Sequence, residues 1–172
     1  MESGQRIILI GFMASGKSAV ATRLAELLRL PLRQMDDEII EASGLSSISE
    51  IFKEHGEARF RELETTVALA LRSFSCGIIS SGGGVVTRSE NRAALVQPGT
   101  EVIFLRTTFD TVQDRAGDLS SRPLLRDIEN ARTLFIDRAP LYEEWATMIV
   151  DTDAKGVDEV CQEILGHLQE RG

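Results

Sequence analysis

Gly11-Phe12-Met13-Ala14-Ser15-Gly16-Lys17-Ser18 reads G-x-x-x-x-G-K-S, the spacing of a P-loop. Glycines let the backbone curl so that several N–H groups point into one small volume. A helix beginning directly afterwards adds its positive end to the same volume. In such a loop Lys17 reaches the β- and γ-phosphates of a nucleotide, and the Ser18 hydroxyl holds Mg²⁺. The bland alternative is a glycine turn between strand and helix with no ligand. Further along, Gly82-Gly83-Gly84 follows an apolar run, where three glycines let a ligand approach the backbone closely. Asp36 follows a second strand-like run. Its carboxylate could take the proton of an attacking hydroxyl or orient it; equally, it could cap the helix that starts near Asp37-Glu38. Arg61, Arg115 and Arg138 lie on helical segments. Read singly, each is a solvated arginine, Arg61 as an i,i+4 partner of Glu57. Arg122-Pro123, in a polar stretch without periodicity, could bring a cation over a γ-phosphate. Met148-Ile149-Val150-Asp151 imitates a metal-binding strand end, but it lies on the last strand, so Asp151 is not assigned to Mg²⁺.

These residues need a scaffold, and the hydrophobic pattern supplies one. Arg6–Ile10 reads as a strand, and Val20, Leu24, Leu27 and Leu28 form one helical face after the loop. Residues 30–35 read as an edge strand because of Pro31. Helices are expected near 37–43, 48–54 and 57–73, the last with Phe60, Leu63, Val67, Ala70 and Leu71 on one side. A buried strand over 76–81, a helix near 88–95, a strand over 101–105 and a helix over 109–116 come next. Then follow the polar stretch 117–123, a helix over 127–145, a strand over 147–150 and a closing helix with Val157, Val160, Cys161, Ile164 and Leu168 in register. Strands alternating with helices predict an α/β fold: a five-stranded parallel sheet covered on both faces. Ligands in such sheets bind beyond the carboxyl ends of the strands. That rule places the P-loop, Asp36, the glycine run and residues 106–108 around one cleft.

At 172 residues the chain is expected to form a single domain spanning 1–172. A net charge of −8 argues against nucleic acid as the main partner but not against a nucleotide, which is held by local geometry and a few cations. Cys76 and Cys161 follow no framework spacing, in keeping with a reducing cytoplasm. No basic leader and no apolar run of membrane length is apparent, so neither a signal peptide nor a membrane association is expected.

Together these segments resemble shikimate kinase over essentially the full chain. The resemblance is carried by GFMASGKS, MDDEII, EHGEARFRELE (54–64), SGGGVV (81–86), SRPLL (121–125) and DRAPLYEEWA (137–146), in that order and spacing. It implies a three-layer α-β-α P-loop kinase fold with sheet order 2-3-1-4-5. It also implies a lid over about 116–126 and substrate-binding helices over about 37–62. The implied reaction is transfer of the ATP γ-phosphate to the 3-hydroxyl of shikimate, with Mg²⁺, on the way to chorismate and the aromatic amino acids. Asp36 then matches the acid that contacts the shikimate hydroxyls and serves as base. Arg61 and Arg138 match the arginines that grip the shikimate carboxylate, beside Gly82, Gly83 and Gly84. Lys17 and Arg122 match the catalytic cations over the phosphates, and Arg115 an arginine that stacks on adenine. Gly11, Ala14, Ser15, Gly16 and Lys17 are implied nucleotide contacts, as are Ser18, Ala19 and Lys155; Ser18 is the implied metal residue. A cytoplasmic monomer with small-molecule substrates and no nucleic-acid or membrane partner is the implied setting. A gluconate-kinase-type enzyme and a non-catalytic nucleotide-binding protein are the competing readings.

Two departures from the family pattern stand out. Its usual Asp-x-Asp is here Gln34-Met35-Asp36, and the first Asp normally supports the magnesium shell through water. One extra residue within Gly44-Leu45-Ser46-Ser47-Ile48 also opens a register choice between Asp36 and Asp37. Spacing from the P-loop and to Gly44 favours Asp36. Because Gln34 can bond a metal-bound water but brings no charge, Gln34→Asp is expected to lower the Mg²⁺ concentration needed for half-maximal rate. An unchanged magnesium dependence would contradict this.

Overall fold

A computed structural model describes residues 4–117, 124 and 127–171. Strand β1 (Arg6–Ile10) is buried along its whole length and sits at the centre of the sheet. Its side chains alternate between two cores. Ile8 and Ile10 face one cluster, and Ile7 and Leu9 face the other. A strand buried on both faces must be apolar throughout, which is why this run lacks polar alternation. Arg6 opens the strand within the core and donates to the Leu71 and Leu95 carbonyls, so its guanidinium links the ends of two helices.

Helix α1 (Lys17–Leu28) leaves the P-loop and is followed by the short edge strand β2 (Leu32–Gln34). Helix α2 (Met35–Ser43) carries Asp36, Asp37 and Glu38 in its first turn, where acids oppose the positive helix end. Helix α3 (Ile48–Ala70) is capped by the Ser47 side chain and broken at Gly56, whose φ of 79° and ψ of 174° are not helical. The two expected helices over 48–54 and 57–73 are thus the two arms of one kinked element. Strand β3 (Gly77–Ser80) leads to the glycine run. Helix α4 (Ser89–Leu95), strand β4 (Thr100–Arg106) and helix α5 (Phe109–Ala116) follow, then α6 (Ile128–Trp145), β5 (Met148–Asp151) and α7 (Val157–Arg171).

All strand pairs are parallel, and the sheet order is β2-β3-β1-β4-β5, as expected. One core lies against α3, α4 and α6; the other lies under α1 and α7. Three expected face residues fall outside these cores. Leu27 and Val157 are exposed, and Ala70 is exposed while Ala68 is buried in its place. Each stands near the end of its helix, where the stripe rotates off the sheet. The expected lid lies largely outside the described residues. Among the described residues no helix is long and apolar enough to cross a membrane.

Leu24 is fully buried between α1 and the sheet. Leu24→Ala should therefore lower unfolding free energy by about 2–5 kcal/mol in a denaturant titration, leaving substrate affinities unchanged.

Candidate active site

The P-loop, α1, α2, α3, the glycine run and α6 line one cleft of about 410 Å³. The loop itself is shaped by backbone conformations that few side chains tolerate. Gly11 and Gly16 have φ of 153° and 91°, and Ala14 sits at φ 63°. A Cβ on Gly11 would stand 2.7 Å from the Leu105 carbonyl oxygen, so β4 and the loop can approach this closely only at glycine. Lys17, the first residue of α1, is buried. Its ammonium donates to the Gly11 and Phe12 carbonyls at 2.8 Å and adjoins the Ser15 hydroxyl at 3.4 Å. Ser18 and Ala19, one step on, face the cleft with Ala14 and Gly16.

The opposite wall is built from α2, α3, the glycine run and α6. Asp36 lines it and Asp37 does not, because the register of α2 against β2 turns only the first acid inward. Asp36 reaches solvent through the cleft mouth yet lies deep among protein atoms. That desolvation lifts its carboxyl above the usual range, with Asp37 adding to the rise and Lys17 and Arg61 opposing it.

Arg61 is not the surface partner of Glu57 that its spacing allows. It is 8% exposed and donates to Glu64 at 2.8 Å, with Glu57 at a weaker 3.5 Å. Its guanidinium also rests against the Phe60 ring, 5.0 Å from the centroid. Glu64 has no exposed surface, and its Oε2 has no hydrogen-bond partner. Burial raises its carboxyl pKa against the pull of Arg61, and Asp36 raises it further. The glycine run exists because of this pair. A Cβ on Gly84 would collide with the Arg61 guanidinium. One on Gly82 would stand 2.8 Å from Glu64 Oε2 and 3.4 Å from Asp36 Oδ1.

Arg138 lines the same cleft from α6 and is 3% exposed. Its Nε and Nη1 are buried without a hydrogen-bond partner, and its guanidinium lies over the Phe12 ring at 5.9 Å. A buried cation that borders a cleft with two donor nitrogens unpartnered fits an oxyanion.

The remaining residues are placed differently. Arg115 lies outside this lining and braces the P-loop from behind. It donates to Thr152 O at 2.9 Å and Thr152 Oγ1 at 3.2 Å, and touches Ser15 O at 3.5 Å. Lys155, after β5, is likewise outside the lining and pairs with Glu163 at 2.6 Å. Asp151 is tied to Arg106 by two bonds of 2.6 and 2.9 Å, which accounts for the acid at the end of β5 without a metal. Arg122 lies outside the described residues, and Leu124 from the same stretch lines the cleft.

Sequence reasoning overlooked Glu64 and Tyr142. Glu64 falls on the buried side of α3, one turn after Phe60 and three residues after Arg61. A carboxylate on that stripe is itself the signal of an internal ion pair. Tyr142 hydrogen-bonds the Gly83 carbonyl from α6.

The raised carboxyl of Glu64 has a direct pH consequence. The folded state holds this proton more tightly than the unfolded chain. The contribution to stability is therefore full below the ordinary glutamate value of 4.5 and is lost as pH rises through the raised one. Glu64→Gln, which mimics the protonated form, should flatten that limb of a melting-temperature–pH curve.

Comparison with known proteins agrees with the geometry. The family model for shikimate kinase matches residues 13–169. A shikimate kinase of Enterococcus faecalis is 38% identical over 170 residues, covering 96% of this chain and 99% of the relative. Among solved structures, the shikimate kinase of Acinetobacter baumannii in complex with shikimate superposes with a TM-score of 0.92 at 33% identity, covering 99% of this chain and 96% of that one. That of Aquifex aeolicus superposes with a TM-score of 0.83 at 35% identity, covering 97% and 98%. With its P-loop, buried arginines and glycine floor in one cleft, the chain belongs to the shikimate kinase family.

Proposed function

We propose that this chain transfers the γ-phosphate of ATP to the 3-hydroxyl of shikimate, giving shikimate 3-phosphate and ADP. The observation that carries the reading is Arg138: a buried guanidinium with two unpartnered donor nitrogens, bordering the same cleft as Lys17, Asp36 and Arg61. A carboxylate on a small ring satisfies those donors, with Arg61 on its other side. The ring then lies over Gly82–Gly84, and its hydroxyl faces both Asp36 and the P-loop.

Asp36 accepts the hydroxyl proton as the oxygen attacks the γ-phosphorus, and the bond from that phosphorus to the β–γ bridging oxygen breaks to release ADP. Lys17 and the loop N–H groups stabilise the charge carried by the phosphates. Desolvation of Asp36 strengthens it as a base. Phe60, Phe52 and Ile48 give the acceptor an apolar wall. Arg122 completes the phosphate site from the lid in this reading. Arg115 and Lys155 serve the nucleotide's base from the β5 side, Arg115 while holding the back of the P-loop.

Mg²⁺ is part of the reading. Ser18 is the residue that would hold it, with the Gln34 amide at the head of α2 available to a metal-bound water. Among the described residues no group of three His, Cys, Asp or Glu side chains could cage a cation. That fits an ion carried mostly by phosphates and water. When bound, it supplies neutralisation of the β- and γ-phosphate charge. The reading also places the enzyme as a monomer in the cytoplasm, where ATP is available.

The test is ADP release from Mg²⁺-ATP with shikimate, gluconate and nucleoside monophosphates as separate acceptors. Release with shikimate alone is expected. Release with gluconate would favour a related sugar-acid kinase, and ATP binding without turnover on any acceptor would favour a non-catalytic role. Asp36→Asn should lower kcat by about 10²–10⁴-fold, while Asp37→Asn stays close to the parent enzyme. The reverse pattern would move the base to Asp37.

A further inference from the structure

Tyr142 lies one helical turn after Arg138 on α6 and is 2% exposed. Its ring stacks on Phe104 of β4, with centroids 5.0 Å apart. Its hydroxyl donates to the Gly83 carbonyl, with the charge of the Arg138 guanidinium close by on the same helix. Burial pushes the phenol above its ordinary value, so it keeps the proton it donates.

Gly83 is confined from the other side as well. A Cβ there would stand 3.2 Å from the Met13 amide nitrogen and 3.6 Å from the Gly11 carbonyl oxygen. Gly83 thus meets the P-loop on one side, and its carbonyl meets the Tyr142 hydroxyl on the other. The arginine that faces the acceptor's carboxylate lies on the same helix as that hydroxyl, one turn away. A part-buried carbonyl deprived of its donor shifts to find another, and the floor under the acceptor shifts with it.

We propose that Tyr142 is a positioning residue for the phosphoryl transfer: its hydroxyl ties helix α6, which carries Arg138, to the Gly83 backbone, and so sets where the acceptor stands relative to the P-loop. The proposal rests on the shikimate kinase reading. It assigns to the phenol a role in acceptor binding that its aromatic ring alone, as a core residue, does not have.

Tyr142→Phe keeps the stack on Phe104 and removes only the hydroxyl. The expected result is a rise of about five- to tenfold in KM for shikimate, matched by a weaker shikimate Kd in calorimetry, with KM for ATP within about twofold of the parent. Phe104→Leu is the control for packing. It loosens the stack, leaves the hydroxyl, and should lower Tm without that split between the two substrates. The proposal is overturned if Tyr142→Phe leaves KM for shikimate unchanged, raises both KM values alike, or does not fold. It is also overturned if Phe104→Leu reproduces the selective rise. Turnover of shikimate by the parent with an unaltered Tyr142→Phe sinks this proposal alone, whereas no turnover by the parent sinks the functional reading and this proposal with it.

Discussion

A guanidinium cannot be kept inside a protein without a carboxylate to answer it and space to lie in. The Arg61–Glu64 pair meets both conditions, and much of the cleft is arranged around it. Glu64 sits one turn along the same helix, so the two groups meet without help from any other element. The space comes from the strand side, where Gly82 and Gly84 carry no Cβ. Breaking one partner of a buried pair costs far more than a surface pair contributes, about 3–5 kcal/mol. The helix, the glycine run and the acid on α2 are therefore bound to one another by a single electrostatic requirement.

The same requirement explains how an acidic chain binds anions. The net charge of −8 belongs to the exterior, where acids outnumber bases and ion pairs such as Arg23–Asp158 and Arg59–Glu62, themselves neutral, contribute little each. Within the cleft the sign is reversed locally: Lys17 and Arg138 stand with Asp36, and Arg61 with Glu64. Field strength at the reacting atoms depends on those few desolvated groups, not on the sum over the surface.

Much of the architecture was readable before any coordinates, because apolar period and glycine placement report backbone geometry directly. The five strands, the edge position of β2 and the P-loop context follow from such patterns. The roles of charged residues were less legible. Arg61 is compatible with a solvated i,i+4 pair on spacing alone, and only burial distinguishes it. Glu64 was overlooked because a lone acid on an apolar stripe reads as an interruption of the stripe. Tyr142 was overlooked because a tyrosine at a core position satisfies the pattern whether or not its hydroxyl has a task. Leu27, Ala70 and Val157 illustrate the opposite error: periodicity continues to the end of a helix, but the surface it packs on does not.

The break at Gly56 divides α3 into two arms with different obligations. The second arm carries Arg61 and Glu64 and is anchored in the core by Leu63, Val67 and Ala68. The first carries Ile48 and Phe52, which shape the cleft without bearing charge. A non-helical residue between them decouples the phase of one arm from that of the other. The turn over 44–47 also falls ahead of this joint, so a change of length there can be absorbed without rotating Arg61 away from Glu64.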